Sequence, residues 1–212
     1  MTSIPNEVIF SILRIIKKSN PGDQYYEAYL GHLAKRKETF RDIYHFSWEY
    51  VIQNHPKRIL EIGTRTGISL CQLLAAYIDH SIIDRIVSCD LFNDGFITPQ
   101  LVKFNLGQVG IPKYCIDKVE FMVGDSKIEI PKLIGKFDWI LVDGDHSKEG
   151  ARTDLSNAFN LIDKGGVIVF DDIGPDGMDL LDVWEEFKAL HRNQFEFHED
   201  LNGKGIGYGV YK

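Results

Sequence analysis

From Pro56 onward, short apolar runs alternate with segments in which apolar residues recur every three or four positions. The runs are Arg58 to Ile62, Arg85 to Cys89, Val119 to Val123, Trp139 to Val142 and Val167 to Phe170. Runs so short and continuously apolar suit strands buried on both faces, and the spacing between them suits crossover helices. Ile68, Cys71, Ala75 and Ile78 share one helical face, as do Ala151, Leu155, Ala158, Phe159 and Ile162. Gly165-Gly166 is expected to make the tight turn into the fifth run. A last helix is read from Leu180, Trp184, Phe187 and Leu190, and two closing strands from Phe195 to His198 and Ile206 to Tyr211, joined at Gly203-Lys204-Gly205. The pattern predicts an α/β fold with a doubly wound, seven-stranded sheet, mostly parallel, with one antiparallel strand near the C-terminus.

Before His55-Pro56 the texture is helical. Ile9, Ile12 and Ile16 follow one helical face, and Phe40, Ile43, Tyr44, Ser47, Trp48 and Val51 form an aromatic-rich stripe on a longer helix after the loop Asn20-Pro21-Gly22-Asp23. Residues 1–55 are therefore expected to form a helical segment, packed on the flank or covering substrate as a lid, and residues 56–212 the main domain. The aromatic helices could also form a homodimer contact.

At 212 residues and 44% hydrophobic, the chain can bury a sizeable core in one domain. Its formal charge of -7 offers no field to gather phosphates or anionic lipid, so neither nucleic acid nor membrane is an expected partner. Cys71, Cys89 and Cys115 have no metal or disulfide spacing and read as reduced thiols of a cytoplasmic protein. No run reaches the roughly 18 apolar residues of a membrane span, and Lys17 and Lys18 follow the first apolar stretch, the reverse of a signal peptide.

The richest segment is Ile59-Leu60-Glu61-Ile62-Gly63-Thr64-Arg65-Thr66-Gly67, a strand running through a glycine turn into a helix. A dinucleotide fingerprint would place glycine where Arg65 stands, because a pyrophosphate needs close backbone approach. Glu61 would repel a phosphate but could pair with an α-ammonium group, directly or through water.

Glu61-x-Gly63-x-x-x-Gly67 resembles the first motif of class I S-adenosylmethionine-dependent methyltransferases, and the likeness runs from about Arg58 to the end. It implies a Rossmann-like fold and a methyl-transferring enzyme (EC 2.1.1.-). Gly63, Thr64, Arg65, Gly67 and Ser69 would then pass close to the methionine moiety, with Glu61 and Asp143 nearby. Asp90, followed by Leu91, would offer its two oxygens to the ribose hydroxyls, and Asp125 and Ser126 would lie beside adenine. Singly, each acid could be a helix cap or turn former, but three acids at three successive strand ends favour the cofactor.

The fourth run ends in Asp143-Gly144-Asp145-His146 and the fifth in Asp171-Asp172, so four carboxylates and an imidazole are expected on one edge. Such crowding is costly unless a cation neutralises it, and hard oxygen donors select Mg²⁺, Ca²⁺ or Mn²⁺. The arrangement is similar to the metal-dependent O-methyltransferases (methyltransferase family 24, macrocin O-methyltransferase type), whose metal-holding positions match Asp143, Asp171 and Asp172. Asp-Gly-Asp more particularly resembles enzymes that methylate sugar hydroxyls of macrolide and aminocoumarin antibiotics. That likeness implies a Mg²⁺-assisted O-methylation of a small hydroxylated acceptor, sugar-like or catechol-like, with Asp145, the base that the resemblance suggests, or else His146, whose ordinary pKa suits the task better, taking the proton. His146 could instead orient a carboxylate, and Asp172 could cap its loop. The alternatives are an NAD(P)- or nucleotide-dependent enzyme, which Arg65 opposes, and a non-catalytic module on the same fold, for which the intact acids would be unexpected.

Overall fold

The computed structural model describes residues 43–77, 83–93 and 97–212. The first expected helix, the Asn20 to Asp23 loop, Phe40 and Ile78 lie outside the described residues. The chain runs α1 (Ile43–Asn54), β1 (Arg58–Ile62), α2 (Ile68–Tyr77), β2 (Arg85–Asp90), α3 (Pro99–Gln108), α4 (Lys113–Ile116), β3 (Val119–Val123) and α5 (Ser126–Glu129). After a short 3-10 turn come β4 (Phe137–Val142), α6 (Lys148–Leu161), β5 (Ile162–Asp171), α7 (Leu181–His191), β6 (Phe195–Asp200) and β7 (Ile206–Tyr211).

The seven strands form one sheet in the order β3-β2-β1-β4-β5-β7-β6. Neighbours from β3 to β5 are parallel, and β7 is antiparallel to both β5 and β6, which is the expected doubly wound sheet with one reversed strand. Strand order changes direction between β1 and β4, and such a switch opens a crevice at the carboxyl ends of the strands.

Side chains alternate across each strand, and both faces are covered. Ile59, Ile86, Trp139, Leu141, Val167 and Val169 pack against Phe46 and Val51 of α1, Leu70 and Leu74 of α2, and Val102 and Leu106 of α3. Leu60, Val87, Ile140, Val142, Ile168 and Phe170 face Ala151, Leu155 and Ala158 of α6 and Val183, Trp184 and Phe187 of α7. Helix α3 begins where it does because Thr98 Oγ1 accepts the Leu101 amide hydrogen bond (3.1 Å) and Pro99 occupies the first turn. Gly207 of β7 admits Trp184, whose ring would lie 2.3 Å from any Cβ there.

Three local expectations are corrected. Gly165 and Gly166 sit inside β5: Asp163 to Gly166 bulge opposite the single residue Asp138, and Gly165 takes a φ of 80° that a side chain would resist. Ile162 opens β5 and does not continue the α6 stripe, because the helix stops at Leu161. Leu190 is exposed and lies off the apolar face of α7 set by Val183, Trp184 and Phe187. All three cysteines are buried free thiols. Among the described residues no helix is long and apolar enough to cross a membrane.

Candidate active site at the carboxyl edge of the sheet

The end of β1 is stitched to both neighbouring strands: Gly63 N donates to Cys89 O (2.9 Å) and Asp143 N donates to Ile62 O (2.8 Å). These bonds draw the turn so near β4 that a Cβ on Gly63, whose φ is 97°, would lie 1.8 Å from the Asp143 carbonyl oxygen. Glycine is thus demanded here by the protein's own backbone. At Gly67, φ 84°, a Cβ would lie 2.6 Å from Val102 of α3. Between them Arg65 adopts a left-handed φ of 47°, and its amide donates to Asp90 Oδ2 (2.7 Å), which offsets the strain of that conformation. Thr64 closes the turn by accepting from Gly67 N at 2.9 Å.

Glu61 lies fully buried beneath this turn, and the hydroxyls of Ser69 and Ser88 donate to its two oxygens. Burial pushes its carboxyl up to about 7, the two hydroxyls oppose the rise, and the charges of Asp143 and Asp90 add to it. Asp90 accepts from Arg65 N on one oxygen and from Phe92 N (2.9 Å) on the other, while the neighbouring Leu91 side chain is exposed. Asp125 caps α5 through Lys127 N (2.9 Å), and Ser126 is the first residue of that helix. Asp154 is buried under the Asp143 to Asp145 turn, close enough that a Cβ on Gly144 would lie 2.9 Å from its Oδ2.

At the ends of β4 and β5 the acids divide. His146 Nε2 lies 3.2 Å from Asp143 Oδ1 and 3.3 Å from Asp172 Oδ2, and these three side chains can place one ligand atom each within 4.8 Å of one another. The hydrogen bond with Asp143 raises the His146 pKa above its ordinary value, burial opposes this, and the charges of Asp143 and Asp172 reinforce it. Asp145 points elsewhere: its oxygens accept from Ser147 N (2.9 Å) and Lys127 Nζ (3.1 Å). Although partial burial works to raise it, those bonds from Ser147 and Lys127 hold its carboxyl below the usual range. Asp171 is directed to Lys204 Nζ (3.3 Å), which also contacts Asp172 Oδ1 at 2.6 Å. Burial pushes the Asp171 carboxyl up to about 7 and raises that of Asp172, with the Lys204 charge opposing both.

Asp143, His146 and Asp172 fit a hard divalent cation by donor chemistry: two carboxylates, one of them buried with neither oxygen receiving a hydrogen bond of good geometry, and an imidazole. The turn over Glu61 and Asp90 fits a ligand carrying positive charge and hydroxyl donors better than a diphosphate, because carboxylates underlie it. Lys204 was legible only as part of a turn, and Asp154 only as a polar position of a helix. It is the pairing of β5 with β7, aligning Asp171 with Ile206, that brings Lys204 to the acids.

A family model described as a methyltransferase domain matches residues 60–173. Among solved structures, the O-methyltransferase from Bacillus cereus in complex with SAH is 20% identical, with 99% of this chain and 93% of that one covered at a TM-score of 0.69. The SAH-bound Podospora anserina methyltransferase PaMTH1 is 18% identical over 100% and 90% of the two chains, TM-score 0.70. The Streptomyces achromogenes O-methyltransferase TomG, involved in tomaymycin synthesis and in complex with SAM, is 19% identical over 100% and 92%, TM-score 0.65. No curated protein sequence matches significantly.

Proposed function

Since the chain belongs to the methyltransferase-domain family matched over residues 60–173, we propose that it transfers a methyl group from S-adenosylmethionine to a hydroxyl oxygen of a small acceptor. The observation that carries this reading is the contact between the two halves of the site. The Gly63 turn rests on the backbone of Asp143, the first acid of the β4 cluster, so a sulfonium held over the turn would stand beside an oxygen held at the cluster. The O-methyltransferases among the structural neighbours support oxygen as the accepting atom.

The residues then divide the task. Glu61, under the turn, supplies negative charge toward the cofactor's ammonium end, and Asp90 presents its oxygens at the end of β2, where ribose would lie. Asp143 and Asp172 would hold a hard divalent cation, which supplies Lewis-acid polarisation of the acceptor oxygen. His146 is the better proton acceptor of the two candidates, because Asp145 is held ionised by Lys127 and Ser147 and retains a proton poorly. The acceptor is sugar-like or catechol-like, the enzyme acts without nucleic acid or membrane in the cytoplasm, and residues 1–55 flank or cover the site and offer a homodimer contact.

Calorimetry with S-adenosylmethionine and its demethylated product, followed by a mass-spectrometric screen of sugars and catechols with Mg²⁺, tests the reading. Cofactor heat and a methylated product are expected, with Asp172→Asn losing transfer at least about 100-fold while binding cofactor normally. Saturation by NADH with no heat from either sulfur nucleoside would overturn the assignment, and transfer that survives excess EDTA would remove the cation from it.

A further inference from the structure

Lys204 sits on the turn between β6 and β7, far along the chain from the acids it touches. Its ammonium lies 2.6 Å from Asp172 Oδ1 and 3.3 Å from Asp171 Oδ2, and both carboxylates are almost wholly buried. Buried carboxylates require a nearby cation or a proton, and here the chain itself supplies the cation.

The placement is built into the backbone. Ile173 N donates to Gly205 O (3.3 Å), Gly174 N to Lys204 O (2.5 Å) and Asp176 N to Gly203 O (2.9 Å), clamping the turn onto the loop that follows β5. Glycines make this approach feasible: a Cβ on Gly177 would lie 2.6 Å from Lys204 O, and one on Gly205 would lie 2.3 Å from Gly174 N. The lysine backbone is therefore fixed while its side chain, about a third exposed, keeps a route to solvent. Lys204 donates to Asp171 Oδ2, whereas neither oxygen of Asp172 receives a hydrogen bond of good geometry, so at Asp172 the ammonium acts through its charge and leaves the oxygens' lone pairs for a cation.

We propose that Lys204 is a tethered counter-cation, which offsets the charge of the β5 acids when no metal is present and competes with a divalent cation for Asp172. The inference rests on the reading of Asp143 and Asp172 as cation donors and adds a competitor to it. Binding of a divalent ion would swing the Lys204 ammonium outward, leaving Asp172 to the metal.

Mn²⁺ titration of the full chain, followed by the electron paramagnetic resonance signal of free Mn²⁺, tests this. Lys204→Met should bind Mn²⁺ at least about tenfold more tightly than the wild type, since a positive charge leaves the site. Lys204→Arg should stay within about threefold of the wild type, and Lys113→Met, which removes a distant exposed lysine paired with Asp117, should leave affinity unchanged. In EDTA, Lys204→Met should melt below the wild type, and Mn²⁺ should raise its midpoint by more. If Lys204→Met does not fold, Lys204→Gln serves the same comparison. Equal or weaker Mn²⁺ binding by the neutral variants overturns the competition alone. Absence of Mn²⁺ binding in every form, with normal cofactor heat, overturns the donor reading itself.

Discussion

Along the carboxyl edge of the sheet, the acids of β1 and β2 are held by neutral donors, whereas those at the ends of β4 and β5 lie against lysines and a histidine. Glu61 is bonded to the hydroxyls of Ser69 and Ser88, and Asp90 to the amides of Arg65 and Phe92. Asp145 is held in part by Lys127, Asp171 and Asp172 by Lys204, and Asp143 shares His146 with Asp172. Neutral donors do not cancel a carboxylate's charge, so the first half attracts a positively charged ligand once Glu61, whose carboxyl burial pushes up to about 7, has ionised. The lysine and imidazole partners of the second half can give way to a metal or take up a proton, as a reacting centre requires.

The change expected to break this division most completely is Gly63→Ala, because the added Cβ meets a backbone oxygen that cannot move without parting β1 from β4. It should lower the unfolding free energy by at least about 3 kcal/mol in urea denaturation and abolish cofactor heat.

Glu61→Gln sharpens the contrast through pH. The folded carboxyl is pushed up to about 7 from an ordinary 4.5, so the folded state holds the proton more tightly than the unfolded one. Its contribution to stability is present below the ordinary value and is lost as pH rises through about 7, a change on the order of 3 kcal/mol. Glu61→Gln should remove that part of the stability profile, leaving the part due to Asp171, which also titrates at about 7. Cofactor affinity in the wild type should rise about tenfold from below to above pH 7 as Glu61 ionises, and the variant should flatten that rise.

The smallest effect is expected away from both halves. Arg152 pairs with Glu186 between α6 and α7 at 2.6 Å, but both side chains are largely exposed. Arg152→Ala should leave the denaturation midpoint and the rate of methyl transfer unchanged within error.

The strands after Pro56 and the helices α2, α6 and α7 were readable because two-sided burial writes continuous apolar runs, and crossover helices write a 3.6-residue stripe between them. Strand-end acids were readable for the same reason: once parallel strands are assigned, their carboxyl ends must share an edge. The Gly165-Gly166 bulge was not, since a glycine pair signals a sharp bend without saying whether the chain leaves the strand there.

By itself the sequence determined the order of the strands, the sheet's parallel character and which acids stand at its carboxyl edge, all of which follow from local periodicity. Only the tertiary structure decided each acid's partner. Glu61 meets Ser88, Asp145 meets Lys127 and Asp172 meets Lys204 across 27, 18 and 32 positions of chain. Those distances close only when strands pair in a particular register, and side-chain charge alone does not select among the lysines available.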